Sequence, residues 1–383
     1  MRYGKVKAVT VSRAPANEGG FILIAALTLL GTMALLGTTA FLLSSTDIRI
    51  GSNFRNSQMA LQVAMAGAER GRETLRVLNA SSSDPGSYSD ELAGRRGANG
   101  ILDGYSASTD DVALASGTMN DVSYVVYLTN DAADGSSNTT DANGKVVITS
   151  VATGPNNARA RVETVITFYS GLSSSPATVY SKGDVTGNGS SLTINGNDSC
   201  GVSGALAPIY TKDPAETELN GNPTLTGSPP EPQHGSLDID IAGQIEQLKA
   251  GATTILYEDQ NNETFGSSTN YVTVYSWPDD PAHPNSQGLK LNNVTGYGIL
   301  LVKGDLTLGG GFTWHGIILA TGSVTLNGGG GAGINIYGQV YSGTSTVTDV
   351  TVNGSNTISY HSCDVKKALS SQPMKVVNWK HSY

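Results

Sequence analysis

Cysteine is nearly missing from this chain of 383 residues, which has only Cys200 and Cys363. Neither lies in a CxxC or other metal-spaced set, which excludes a zinc module, a CxxC redox enzyme and a small disulfide-dense fold. Charge is also scarce, at 14% of residues, and leans acidic, with 32 Asp and Glu against 23 Lys and Arg. That balance leaves no basic face to neutralise phosphates, so nucleic acid is not an expected partner. The five histidines, His234, His283, His315, His361 and His381, form no HxH or HExxH spacing, and there is no Walker or GxSxG sequence. Gly328, Gly330 and Gly333 formally satisfy GxGxxG, but strand-like phrases flank them on both sides, whereas a dinucleotide site needs a helix after the loop. The chain therefore reads as non-enzymatic, with no catalytic residue and no cofactor.

What is abundant is glycine, 47 residues of it, with Ser, Thr and Asn crowding the stretch after residue 80. That composition suits strands and turns. One long apolar run stands apart: FILIAALTLLGTMALLGTTAFLL, from Phe21 to Leu43, is uncharged and long enough as a helix to cross a bilayer core. Arg2, Lys5, Lys7 and Arg13 precede it against the single acid Glu18. This asymmetry predicts a cytoplasmic N-terminus, with everything after the helix exported. In an exported chain, Cys200 and Cys363 are expected to pair. Past the membrane no proline interrupts the helical pattern, and Phe54, Leu61, Ala68 and Leu75 recur every seven residues. Those four are expected to share one packing face of a helix running to about residue 78, against the chain's own domain or a partner.

Gly19 and Gly20 come before the apolar core, and EGGFILIAALTLL resembles the prepilin signal. The resemblance implies that a prepilin peptidase cuts after Gly20 and leaves Phe21 as the new N-terminus. The following GSNFRNSQMALQVAMAGAERG is similar to the N-terminal region of PilX-type minor pilins, and the likeness covers residues 18–78. Met65 stands where that pattern usually has Glu. Ala25 occupies the fifth mature position, where major pilins carry Glu. The resemblance implies a structural or assembly subunit of a type IV pilus, whose partners are other major and minor pilins and the pilus assembly machinery. A pseudopilin of a related secretion system would share these features. So would a pilus-associated adhesin, for which Trp277, Trp314 and Trp379 are the sugar-stacking candidates.

The expected fold class is α+β, mostly β: a long N-terminal pilin-like helix, a small antiparallel sheet and a C-terminal Gly-rich β-solenoid-like domain. The boundaries read as a leader at 1–20, the helix at 21–78, a head at 79–172 and the repeat domain at 173–383. Within the head, 84–117 reads as a connecting region, and strands are predicted at 122–130, 145–154 and 158–169. Asp131, Asp134, Asp141 and Asn143 form a weak calcium candidate whose spacing is not that of an EF-hand, and a solvated turn is the preferred reading. In the repeat domain, GILLVKGDLTL and GIILATGSVTL align at an 18-residue offset, so Leu300, Val302 and Leu306 should point inward while Gly and Asn turn the corners. Asp184 and Asp305 fall at equivalent corners, which suggests turn chemistry rather than a catalytic carboxylate pair. An insert at about 212–290, with a helix over 236–251, should pack on the side of the coils, and a Cys200–Cys363 bridge should tie the two ends of the domain.

Overall fold

The computed structural model describes residues 18–82, 86–106, 108–168, 172, 175–188, 191–277, 288–329, 333–343 and 348–382. The basic flank, His283 and Gly330 lie outside them. Strand (39%) exceeds helix (27%), in keeping with an α+β chain that is mostly β. The chain divides into two units, residues 1–59 and 60–383.

In the first unit the described residues all belong to helix α1 (Glu18–Ala80), which continues into the second. No proline falls within it, and the Thr hydroxyls turn back onto the helix. Thr28 donates to the Ile24 carbonyl at 3.0 Å and Thr38 to that of Ala34 at 3.0 Å. The apolar stretch thus carries no unsatisfied hydroxyl, as a hydrocarbon environment requires. Between Ile22 and Leu43 every large apolar side chain is exposed, and the helix is long and apolar enough to cross a membrane.

In the second unit, β1 (Ala115–Met119), β2 (Val122–Asn130), β3 (Lys145–Thr153) and β4 (Arg159–Thr167) form an antiparallel sheet. Residues 60–80 of α1 pack against it through small side chains. A Cβ at Gly67 would lie 2.4 Å from Ser150 Oγ, and one at Gly71 would lie 2.7 Å from a Val126 methyl. The buried face runs Ala60, Ala64, Gly67, Ala68, Gly71, Leu75 and Asn79. Of the seven-residue stripe, Ala68 and Leu75 are on that face, Leu61 is half-buried, and Phe54, in the first unit, is 67% exposed. A straight helix drifts from a strict seven-residue repeat, and a count of large apolar residues passes over the glycines that allow close approach. Around Leu75 the core gathers Tyr88, Leu92, Leu102, Leu114, Val126, Ile148 and Ile166. Tyr88 and Leu92 come from the short helix α2 (Ser89–Ala93) and its N-cap, inside what reads in sequence as featureless connection.

From Ala177 to Ser359 the strands pair in parallel, in two facing sheets. Thr295–Val302 lies in register with Thr313–Ala320, Thr295 opposite Thr313, which is the 18-residue offset of the repeat. Leu300, Val302 and Leu306 are fully inside, among Leu308, Trp314, Ile318 and Val324. Asn262 and Asn293 turn corners at φ of 58° and 51°, and their amides bond each other at 3.3 Å from one coil to the next.

One expectation about the stack needs correcting. The stretch 212–290 is only partly a side insert. Helix α3 (Ile241–Leu248), N-capped by Asp240, does pack laterally with Ile299, Leu301, Ile317 and Leu319. Thr254–Leu256 and Val272–Ser276, however, extend the parallel sheet itself, the latter pairing with Thr295–Val302. The coils are also out of sequence order. The first, Ala177–Ser181, pairs in parallel with Ile334–Ser342, and Leu192–Asn195 pairs with Asn356–Ser359. A repeat gives every coil the same pairing edge, so periodicity alone does not say which coil stacks on which.

After helix α4 (Ser362–Ser370) the chain crosses to the antiparallel sheet, where the C-terminal strand Lys375–Ser382 pairs with β4. Arg72 and Arg76 of α1 donate to the carbonyls of Met374 and Ser371, both at 3.2 Å, and so hold the crossing segment.

Candidate functional site

The acidic loop is self-satisfied. Asp131 accepts from the Asp134 amide and the Asn143 side chain at 3.1 Å each, Asp134 from the Ala142 amide at 2.7 Å, and Asp141 from the amides of Tyr88 (2.9 Å) and Gly144 (2.8 Å). These carboxylates are spent on backbone N–H groups, as in a turn. A second acidic group, Asp103, Asp110 and Asp111, brings its oxygens within 4.8 Å of one another, but Asp111 accepts from the amides of Gly97 and Gly104 and shapes its own loop.

Asp184 begins one strand and Asp305 immediately precedes another, three places away in the same sheet. At about 4.8 Å per strand that is roughly 14 Å, too far for two carboxylates to act on one bond. Asp305 accepts from the Ser323 amide at 2.7 Å, a coil-to-coil corner contact. Trp314 is buried in the coil core and donates to the Gly298 carbonyl at 3.1 Å, which removes it as a sugar platform. Trp277 lies under Lys303, whose ammonium is 4.0 Å from the ring centroid, and Trp379 is 44% exposed.

The histidines are not equivalent, a distinction that spacing does not reveal. His234 pairs with Thr211 Oγ1 at 2.7 Å, and His381 meets Trp379 edge to face. His315 is stacked between Tyr297 and Tyr337, with centroids 4.6 and 4.7 Å away, because the three occupy matching positions in successive coils. Its Nδ1 lies 2.9 Å from Asp364 Oδ2, and Asp364 also accepts from the Tyr271 hydroxyl at 2.6 Å. Burial raises the Asp364 pKa, but the hydrogen bonds from His315 and Tyr271 outweigh it and hold the carboxylate below its usual range. His361 caps α4 by accepting from the Asp364 amide at 3.2 Å. Through these bonds the cluster anchors α4 to the coils.

Cys200 and Cys363 are bonded, with their Cα atoms 6.0 Å apart. Because the first and last coils are neighbours, the bridge joins adjacent coils and not the two ends of the stack. Asp198 reinforces the same junction, accepting from the amides of Cys200 (3.1 Å), Ser203 (2.8 Å) and Ser362 (2.9 Å). Desolvation opposes its charge, but these donors prevail and depress its pKa. Sequence reasoning did not single out Asp198, though its place two residues before a cysteine in a Gly-Ser turn was a signal.

Glu91 was equally unforeseen. It is 7% exposed, takes one hydrogen bond from Asn79 at 3.1 Å, and its Oε2 has no partner among the described residues. Burial pushes its pKa up to about 7. In the unfolded chain the group ionises near pH 4.5. Its stabilising contribution is therefore complete below pH 4.5 and is lost as the pH rises toward 7, by about 3 kcal/mol. Glu91→Gln should remove that slope, so that in thermal melts the variant gains on the parent between pH 5 and pH 8. A parallel pair of stability profiles would refute the assignment.

The sequence matches no protein-family model and no curated protein. Among solved structures the chain is similar to the competence-associated pilin ComZ from Thermus thermophilus, at 11% identity and a TM-score of 0.22, over 85% of this chain and 98% of that one.

Proposed function

We propose that the chain is a minor-pilin-like subunit of the PilX type, held in a bacterial inner membrane by α1 and acting through helix packing and surface contact. The observation that carries this reading is the contrast along one continuous helix. From Ile22 to Leu43 it is apolar and exposed, while from Ala60 to Asn79 one face is buried on the chain's own sheet. An exposed apolar helix of that length must be covered by lipid or by similar helices, and the second half leaves the first free to be so covered. The coil domain, a β-solenoid in this reading, is then displayed outside. Ala25 removes the carboxylate through which major pilins are expected to engage a neighbour, which favours a sparse, priming or tip-associated subunit over a shaft subunit.

The Gly20–Phe21 junction lies in the first turn of α1, where amides lack intrahelical partners and opening is cheap. The mature protein should begin at Phe21 when expressed with a prepilin peptidase, and at the unprocessed N-terminus without it. Intact-mass measurement of membrane fractions decides this. A mature N-terminus elsewhere, or one indifferent to the peptidase, defeats the reading.

A further inference from the structure

Among the described residues the antiparallel sheet is open on both sides: β1 is one edge and the C-terminal strand the other. Every residue of Lys375–Ser382 is exposed. Val377 (52%) and Trp379 (44%) are exposed on this edge strand, and Met119 (46%) on β1 and Val112 (51%) just before it. Open edges with exposed apolar side chains are templates for a further strand.

Two features choose the occupant. The first is charge. From Lys375 to Ser382 there are Lys375, Lys380 and His381 and no acid, whereas residues 97–122, which lead into and out of β1, hold Asp103, Asp110, Asp111 and Asp121 and no base. Lys380 is engaged by Glu163, and the guanidinium of Arg95, which precedes this stretch in sequence, donates to the Ala113 carbonyl at 2.8 Å. Two C-terminal strands side by side in antiparallel fashion would bring Lys375 of each toward Lys380 of the other, and like charges across a strand pair are unfavourable. Two β1 edges would likewise oppose acids. The second feature is direction. All four pairings within the sheet are antiparallel, so β1 and the C-terminal strand run the same way. Copies repeated without inversion therefore meet as parallel strands, with Lys375 toward the Asp110–Asp111 end and Lys380 toward Asp121.

We propose that the C-terminal strand of one copy docks beside β1 of a second copy, extending the antiparallel sheet by one parallel seam. The contact is heterologous: each copy keeps one edge free, so rows rather than closed dimers result. It does not depend on the membrane or pilus reading.

The test uses the full chain in detergent. Thr118→Cys is made in one preparation and Val377→Cys in another, both at exposed positions, and a short bis-maleimide is added to each alone and to their mixture. The mixture should give a crosslinked pair about tenfold above either variant alone, because only the mixture places the two thiols on facing edges. Adding Lys375→Glu to the Val377→Cys copy should reduce that yield severalfold. Crosslinking of Val377→Cys with itself, no product in the mixture, or a yield unmoved by Lys375→Glu would overturn the proposal. Amide exchange on the unmodified protein provides a readout free of variants: Ala115–Met119 and Lys375–Ser382 should gain protection together as concentration rises. Protection of one edge alone would count against it.

Discussion

Replacing Gly316 with valine should prevent the coil domain from folding. Gly298, Gly316 and Gly338 sit opposite one another in three consecutive parallel strands, at φ of 135°, 132° and 151°. A Cβ at Gly316 would lie 2.1 Å from the Gly298 carbonyl oxygen, and one at Gly338 would lie 1.7 Å from the Gly316 oxygen. These are backbone atoms of a neighbouring coil and no rotamer relieves them. The backbone conformation is itself one that a β-branched residue enters only at high cost. The two penalties together exceed about 4 kcal/mol, a large share of a domain's net stability. The measurement is near-ultraviolet circular dichroism with protease resistance of the coil domain. Gly329→Val, where nothing lies within 4 Å, serves as the comparison. If Gly316→Val melts with the parent, the close approach of these strands is wrong.

Removing the bridge should have the second largest effect. A crosslink over a separation of 163 residues restricts the unfolded chain by about 5 kcal/mol in the loop-entropy description. The folded junction keeps Asp198 and its amide donors, so the Cys200→Ser/Cys363→Ser protein should fold but melt well below the parent. Adding Asp198→Asn should then cost more than it does in the bridged protein, since both hold the same two segments together. Denaturant unfolding with and without reductant checks this. A parent whose midpoint ignores reductant would show that the bridge contributes nothing.

How far the sequence could be read depended on the range of the interaction. Where a signal is local, residues carry it openly: β-branched runs became β2, β3 and β4 within one or two residues, α3 falls inside the expected 236–251 but is shorter at both ends, and the repeat's 18-residue offset is the true coil register. Where the determinant is a contact between distant segments, nothing in the local pattern announces it. Lys375–Ser382 alternates too weakly to declare a strand and is held by β4, more than 200 residues earlier. Glu91 looks like any surface acid on a short helix until Asn79 and the surrounding core enclose it. The Asp–His–Tyr cluster at Asp364 joins residues from three places, and only the stacking of coils brings His315 to it.

The out-of-order coils also bear on how the molecule is made. Ala177–Ser181 waits for Ile334–Ser342, and β4 waits for Lys375–Ser382, so each sheet is completed by a segment synthesised long after its neighbour. Such long-range closures make folding slow, because loop entropy is lost before the pairing rewards it. They also make it conditional on completion. A chain interrupted before residue 334 leaves an open edge beside Ala177–Ser181, where a protease or chaperone can bind. The last fifty residues thus supply partners to both Ala177–Ser181 and β4, while the outer edge of Lys375–Ser382 itself stays unpaired among the described residues.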